Sequence, residues 1–315
     1  MIQLIASRIS DEVLQILSGH TVGRVHSVFE SAMNIQINDG ELITLLAEGR
    51  SLYPCSVQLA EAVSFVHMGC LPEQDVCITP GAIRIGDRMT VDTRGALPVS
   101  LRMSVCASAL DSAEYSARMS VLAAAIAGAE DMAESLAPVL CELFPGIPYA
   151  VEHNVWSGFL TERMRRLYDA LCRCELSACD EIGRSIAGCG PGLTPSSDDC
   201  LIGIFAALYG ASAAGILDGD MAEALCRNLA RGAIPATGTI SAGFLKSGAE
   251  GYFSEEIIRL MSAFFALEGK ESLGQLAARV CAAGSTSGVD TLVGIWLGMA
   301  ASFRQKGNML QREKG

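Results

Sequence analysis

GPGLTPSSDDCLIGI, residues Gly190 to Ile204, joins a glycine- and proline-rich loop to the start of a very apolar helix. Ser196 or Ser197 is predicted to be the N-cap, because serine hydroxyls accept hydrogen bonds from the first free backbone N–H groups. Asp198 and Asp199 then fall in the first turn, where the positive end of the helix dipole stabilises carboxylates. Helix capping explains these residues, but amides and hydroxyls at a helix start also form an anion site. Both interpretations stay open.

A second segment repeats this pattern. GSTSGVDTLVGI, from Gly284 to Ile295, aligns without gaps on residues 193–204. The identical positions pair Ser196 with Ser287, Asp199 with Asp290, Leu201 with Leu292, Gly203 with Gly294, and Ile204 with Ile295. If the repeat is real, the two helices should be neighbours with their N-termini on the same side. Chance similarity between two apolar helices is the alternative, since short apolar windows match easily.

A third loop, Pro235 to Ser241, also places small hydroxyl residues before a helix, and an ordinary cap is again the alternative. Together the three loops supply our candidate site. The candidate catalytic residues are Asp198, Asp199 and Asp290, and the candidate substrate-binding residues are Gly192, Thr194, Ser196, Ser197, Thr237, Thr239, Ser241, Thr286, Ser287 and Gly288. The hydroxyls and amides would hold anions, and the aspartates would orient the loops or bind an amide N–H₂ group.

The pattern of apolar residues in the sequence changes at about residue 108. Before it, short alternating segments separated by turn residues predict strands at 25–29, 33–37, 42–46, 56–59, 76–79, 82–85, 89–92 and 98–101. Asn38, Asp39 and Gly40 supply turn chemistry for a hairpin. After it, long Ala/Leu/Met stretches at 113–143 and 159–186 predict helices. We therefore expect an α+β fold, with a small β-rich barrel or sandwich over 1–108 and a larger all-α domain over 109–315.

Composition excludes several classes of protein. The 315 residues are 50% hydrophobic and 18% charged, which excludes a largely disordered chain. The formal net charge is −12 and no Lys/Arg-rich run occurs, so we expect no nucleic-acid partner and no anionic membrane partner. The N-terminus lacks a secretory signal pattern. The twelve cysteines are then best explained as reduced thiols of a cytoplasmic protein.

One segment bears on membrane insertion. Residues Cys200 to Leu217 carry no charge and approach the lower length limit of a membrane span. No Lys/Arg flank gives an orientation signal, and the Gly, Ala and Ser content suits close packing between helices. We therefore predict a buried core helix and no membrane span.

Metal sites are poorly supported by the sequence. Cys172, Cys174 and Cys179 lack Cys-x-x-Cys spacing, and the four scattered histidines form no spaced pair on a helix. Asp198 and Asp199 could hold Mg²⁺ near a phosphate, although adjacent carboxylates are more often a cap and a solvated neighbour. Otherwise we expect no metal and no cofactor.

The chain resembles a bacterial family of unknown-function domains identified as subunits of oxamate carbamoyltransferase, the enzyme of anaerobic allantoin degradation. The likeness covers most of the chain. It rests on the segment Gly23–Phe29, the GPGLTPSSDD loop, the helix start Thr237–Ser241 with Gly251–Phe253 after it, and TSGVDTLVGIWLG from Thr286 to Gly298. Ser197 and Gly238 depart from the residues expected in the family, which leaves the fold assignment intact and the ligand open.

The resemblance implies a multi-subunit transferase. It would move a carbamoyl group between carbamoyl phosphate and oxamate, and in the catabolic direction it would convert oxalurate and phosphate to carbamoyl phosphate and oxamate. One partner subunit would resemble the succinyl-CoA synthetase α chain. The small anionic substrates suit helix N-termini, and the tetrahedral oxyanion of carbamoyl transfer suits N–H and hydroxyl donors. Two alternatives stay open: a non-catalytic assembly or regulatory anion-binding subunit, and a carbamoyltransferase component with a different carbamoyl acceptor. A catalytic or anion-binding site requires the three loops to converge.

Overall fold

The computed structural model describes residues 2–37, 40–105, 110–266 and 271–312, with side chains to residue 305. The chain forms two compact units, Met1–Arg102 and Met103–Gly315, each with its own hydrophobic core. The predicted domain limit at 108/109 and the predicted turn residues Asn38 and Asp39 lie outside the described residues.

The first unit is a β-barrel with one helix. Its elements are β1 (Ile2–Ser10), α1 (Asp11–Leu17), β2 (Thr21–Val28), β3 (Ala32–Ile37), β4 (Leu42–Leu46), β5 (Ser56–Leu59), β6 (Asp75–Thr79), β7 (Ala82–Ile85), β8 (Met89–Asp92) and β9 (Leu97–Val99). The strand order is β5-β4-β3-β2-β6-β7-β8-β1, and β1 pairs back onto β5 to close the barrel. β9 pairs in parallel with the end of β1. Of the two predicted β architectures, the barrel is the one that forms.

Closure depends on a bend in β1. Residues Ile2 to Ile5 pair in parallel with β8, whereas residues Ala6 to Ile9 pair antiparallel with β5. The register shifts between Ala6 and Arg8, and such irregularities bend a strand and increase its twist. This one strand therefore joins the two ends of the sheet.

The second unit is built from helices and the loops between them in its described residues. The helices are α2 (Ser112–Ala127), α3 (Ala137–Leu143), α4 (Val155–Arg173), α5 (Leu176–Ile186), α6 (Ser196–Ala213), α7 (Gly219–Ala233), α8 (Thr239–Ala249), α9 (Glu255–Phe265), α10 (Leu273–Cys281) and α11 (Ser287–Arg312). Short 3₁₀ turns lie at Met132–Glu134 and Ile234–Ala236. Together with the barrel, this confirms the predicted α+β fold class.

Helix α6 lies at the centre of the helical core. Nearly all of its side chains are buried, including the polar ones of its first turn. Within the described residues, no helix combines the length and the apolar content that crossing a bilayer requires. All eleven cysteines in the described part of the chain are free thiols.

α6 and α11 cross with their backbones in contact. A Cβ atom added at Gly203 would lie 2.0 Å from the carbonyl oxygen of Thr291, and one added at Gly294 would lie 1.9 Å from that of Cys200. The two glycines occupy equivalent positions in the internal repeat, so the contact is reciprocal. The same arrangement joins α5 to α7, where glycines also pack against carbonyl oxygens. Only glycine permits such an approach, because no side chain fits between the backbones.

Candidate functional site

The three hydroxyl-rich loops meet at one end of the helical unit. Thr194 Oγ1 lies 3.1 Å from Ser287 Oγ, which joins the first loop to the start of α11. The hydroxyl of Thr237 donates a hydrogen bond to Asp198 Oδ2, which joins the third loop to the start of α6. The convergence that a binding site requires is therefore present.

The helices that follow these loops run in the same direction. Further along α6, a Cβ atom at Gly298 of α11 would lie 2.6 Å from Cβ of Ala207. On its other side, the Tyr209 hydroxyl donates to the carbonyl oxygen of Ala249 at the end of α8, at 2.7 Å. The N-termini of α6, α8 and α11 thus lie together, as the internal repeat predicts for α6 and α11.

The N-cap of α6 differs from the prediction. Pro195 is the N-cap, its side chain makes no cap hydrogen bond, and both Ser196 and Ser197 lie inside the helix. The prediction of a serine N-cap is therefore wrong. The Pro195 carbonyl accepts from the backbone N–H groups of Asp198 and Asp199, at 2.9 and 3.2 Å. The serines are consequently free for other contacts.

Ser197 connects the loop before α6 to the first turn of that helix by two hydrogen bonds. Its hydroxyl accepts from the Cys189 N–H at 2.9 Å, and its own N–H donates to the Cys189 carbonyl at 3.0 Å. Gly190 has a φ of 133°, and a Cβ there would lie 2.3 Å from the backbone nitrogen of Ser196. Glycine is required at position 190 because the loop folds directly against the helix start.

Asp198 connects two loops to α6. Its Oδ1 accepts from the Gly188 N–H at 2.9 Å, and its Oδ2 accepts from Thr237. Both oxygens therefore have partners within the protein. Mg²⁺ binding at Asp198 and Asp199, the less favoured interpretation of their sequence, stays untested. No group of three or more His, Cys, Asp or Glu side chains in the described residues is placed to hold a metal ion.

Asp199 is buried and only partly satisfied. Burial raises the pKa of its carboxyl well above the usual value, the hydroxyls of Ser287 and Thr194 oppose that shift, and the nearby Asp290 adds to it. Its Oδ2 atom is buried and has no hydrogen-bond partner.

Asp290 is the equivalent residue on α11. Burial raises the pKa of its carboxyl to about 7, against the favourable effects of the Leu136 N–H and of the Ser196 and Thr286 hydroxyls. The Leu136 N–H donates to Oδ1 at 2.7 Å, while Oδ2 is buried without a partner. The Leu136 amide was not predicted, because a backbone N–H group leaves no residue-type signal in a sequence.

The two aspartates are related by a local two-fold arrangement. The hydroxyl of Ser287 acts on Asp199, and the hydroxyl of the equivalent Ser196 acts on Asp290. Ser196 Oγ comes near enough to lower the pKa of Asp290, yet it makes no hydrogen bond of normal geometry. The buried Ser241 Oγ of α8 is also without a partner.

The remaining candidates form a more accessible rim. Gly192 and Thr239 are exposed, Thr194, Thr237, Thr286 and Ser287 are half-buried, and Gly288 is buried. Gly288 packs against the end of α10, where a Cβ would lie 1.9 Å from the Val280 carbonyl oxygen. The site is therefore a hydroxyl rim above a buried carboxyl pair, and no basic side chain is among the groups that shift the pKa of either carboxyl.

Comparison with known families defines the class of protein. The family model of the oxamate carbamoyltransferase subunit AllH matches residues 186–299, a range that contains every candidate site residue. The family model of the AllH N-terminal domain matches residues 5–99. The chain is thus related to a subunit of a carbamoyltransferase. The two matches cover most of its length, so it belongs to the AllH family. No solved structure matches the chain.

Proposed function

We propose that this chain holds the small anionic substrates of a cytoplasmic enzyme that transfers a carbamoyl group between carbamoyl phosphate and oxamate. In the catabolic direction the reactants would be oxalurate and phosphate. The supporting observation is that three helix N-termini meet around buried hydroxyls without partners, those of Ser196 and Ser241. Unpartnered polar groups at helix N-termini are suited to an anionic ligand.

The start of α8 is the best-suited anion subsite. Its N-cap is Gly238, which provides no side-chain cap, so the N–H groups of the first turn are open to an external acceptor. Thr237 precedes the N-cap, and Thr239 and Ser241 are the first and third residues of the helix. A phosphate or carboxylate oxygen would accept hydrogen bonds here and would be stabilised by the helix dipole.

The first and second loops would stabilise the reacting carbonyl. When a carbamoyl group is attacked, its carbonyl oxygen becomes an oxyanion that needs prearranged donors. Thr194 and Ser287 are half-buried hydroxyls held 3.1 Å apart. They are placed to donate to such an oxygen.

The proposed enzyme needs other subunits. Its substrates are anions, and the cluster in this chain contains carboxyls and hydroxyls without a basic side chain acting on Asp199 or Asp290. We propose that partner subunits, one of them similar to the succinyl-CoA synthetase α chain, supply the positive charge.

The test removes single hydroxyls from the assembled complex. Thr194→Ala and Ser287→Ala should each lower kcat by about 100-fold, because each removes an oxyanion donor. Stability should fall by only about 1 kcal/mol, the usual net value of one hydrogen bond. Ser120→Ala is the control, since it removes a hydroxyl that donates to the Ser116 carbonyl on the exposed side of α2. Near-normal transfer by both site variants would instead assign the chain to an assembly or regulatory role.

A further inference from the structure

We infer that Asp199 and Asp290 share one proton and exchange it with the amide nitrogen of the carbamoyl acceptor through the hydroxyls of Ser287 and Thr194. This inference rests on the proposed function and adds to it a route for the proton that the reaction must move.

The first support is geometric. The two carboxyls come from equivalent positions of the repeat, on helices whose backbones touch at Gly203 and Gly294. Asp199 is 6% exposed and Asp290 is 0% exposed, and the Oδ2 atom of each is buried without a partner. Two buried carboxylates without a basic partner are strongly unfavourable when both are ionised. One proton retained by the pair removes one of the two charges and leaves a single negative charge in the buried site.

The surroundings favour retention of that proton. Asp198 raises the pKa of Asp199, and burial, together with Asp290 and Asp199 themselves, raises the pKa of the fully buried Cys200 well above its usual value. The pair is otherwise faced by neutral donors: the Leu136 N–H before α3, the Ser196 hydroxyl of α6, the Thr286 hydroxyl before α11, and the hydroxyls of Ser287 and Thr194. With Asp290 titrating at about 7, the pair would change its proton count near neutral pH.

The hydroxyl rim connects the buried pair to a ligand. Ser287 and Thr194 both act on Asp199 from the surface side, and both are half-buried, so each can also contact a small molecule. A hydroxyl accepts one proton while it donates another. The carboxyls therefore need not touch the substrate, and they act through these hydroxyls.

The proton balance of the reaction gives such a store a role. In the direction of oxalurate synthesis, the amide nitrogen of oxamate attacks the carbamoyl carbon, the new C–N bond forms, and the bond from carbon to the phosphate oxygen breaks with its electron pair going to phosphate. The nitrogen loses one proton, which passes through one of the two hydroxyls, Ser287 or Thr194, to the ionised carboxyl of the pair, while the other hydroxyl donates to the carbonyl oxygen. In the opposite direction, a phosphate oxygen attacks the carbamoyl carbon, the C–N bond breaks, and the proton returns to the departing nitrogen. An amide nitrogen is a poor leaving group unless it is protonated.

The test compares pH profiles of kcat in the assembled complex. In Asp290→Asn the Oδ1 atom can still accept from the Leu136 N–H, while Oδ2 is replaced by an N–H₂ group that cannot hold a shared proton. We expect the wild-type profile to contain an apparent pKa near 7 that is missing from Asp290→Asn and Asp199→Asn, together with a kcat at least about 100-fold lower. The KM for carbamoyl phosphate should stay within about 3-fold, because the anion subsite is unchanged. Asp169→Asn, on the half-exposed face of α4, is the control and should retain the wild-type profile.

A second measurement does not depend on activity. The infrared difference spectrum of the chain, recorded as the pH is raised through neutrality, should contain a carboxylic acid C=O band that both Asn variants lose. If the wild-type lacks this band, or if both variants keep the wild-type pH profile, the inference is wrong even when Thr194→Ala and Ser287→Ala abolish transfer and the proposed function stands. A chelator gives a further outcome. If it abolishes activity and Mg²⁺ restores activity with an unchanged pH profile, the pair binds a cation and the inference is wrong.

Discussion

The environment of Asp290 makes the stability of the chain depend on pH. Its carboxyl has a pKa raised from 3.8 to about 7 by burial, so the folded chain keeps a proton that the unfolded chain releases above about pH 4. The folded state therefore binds more protons in this window, and the free energy of unfolding should fall as pH rises from about 4 to about 7. Asp290→Asn should flatten this fall. Urea unfolding followed by circular dichroism at several pH values measures it, and an equal slope in the variant would contradict the assignment.

At the scale of single residues, the sequence located the site through residue type and repetition. Ser196 with Ser287 and Asp199 with Asp290 stand out because the same residues recur at the same spacing. The contacts of those residues were less predictable. A serine N-cap was expected where the Pro195 carbonyl serves instead, since the loop folds back onto Ser197 and only the three-dimensional path of Gly190 determines that.

At the scale of helices, the reciprocal glycine contacts should be very sensitive to substitution. Gly203→Ala places a methyl group 2.0 Å from the Thr291 carbonyl oxygen, and Gly294→Ala places one 1.9 Å from that of Cys200. Each should destabilise the helical unit by roughly 1–3 kcal/mol or more, because a backbone atom cannot rotate away. Gly243→Ala in α8 is the matched control. It meets nothing within 4 Å and should stabilise by about 0.5–1 kcal/mol.

Thermal and urea unfolding of the full chain would compare these variants. If Gly203→Ala and Gly243→Ala were equally stable, α6 and α11 could not be as close as described. The comparison isolates the helix crossing, since all three changes are glycine to alanine within helices.

Predictions of individual strands and helices succeeded where the apolar pattern is regular. The strands at 42–46, 56–59, 82–85 and 89–92 match β4, β5, β7 and β8. β1 was not predicted, because Ile2 and Ile5 are 42% and 56% exposed, so apolar residues fall on both faces and blur the alternation. The stretch 159–186 divides into α4 and α5 at Cys174, whose φ of 55° is left-handed and carries no glycine signal.

At the scale of the whole molecule, each compact unit contains its own core, and the barrel contains all the strand pairs that close it. A fragment of residues 1–102 should therefore fold alone, with a β-type circular dichroism spectrum and one cooperative thermal transition. A fragment of residues 1–85 is the control. It lacks β8, which pairs with both β7 and β1, and it should not unfold cooperatively. A non-cooperative 1–102 fragment would mean that the first unit depends on the rest of the chain.

The order of a β-rich unit before a helical one was predictable, because the period of the apolar pattern changes along the chain. The choice between a barrel and a sandwich was not. It depends on the pairing of β1 with β5, which lie about fifty residues apart and are joined by no turn signal, with Ala6 opposite Leu59.

The glycine crossing of α6 and α11 also affects the thermodynamics of ligand capture. Because these helices interlock through rigid main chain, the entropy of ordering the floor of the site is already lost when the protein folds. An incoming anion would have to immobilise only the rim loops and their hydroxyls, so the crossing makes the site preorganised. Affinity for so small a ligand then depends on a scaffold that is fixed before the ligand arrives.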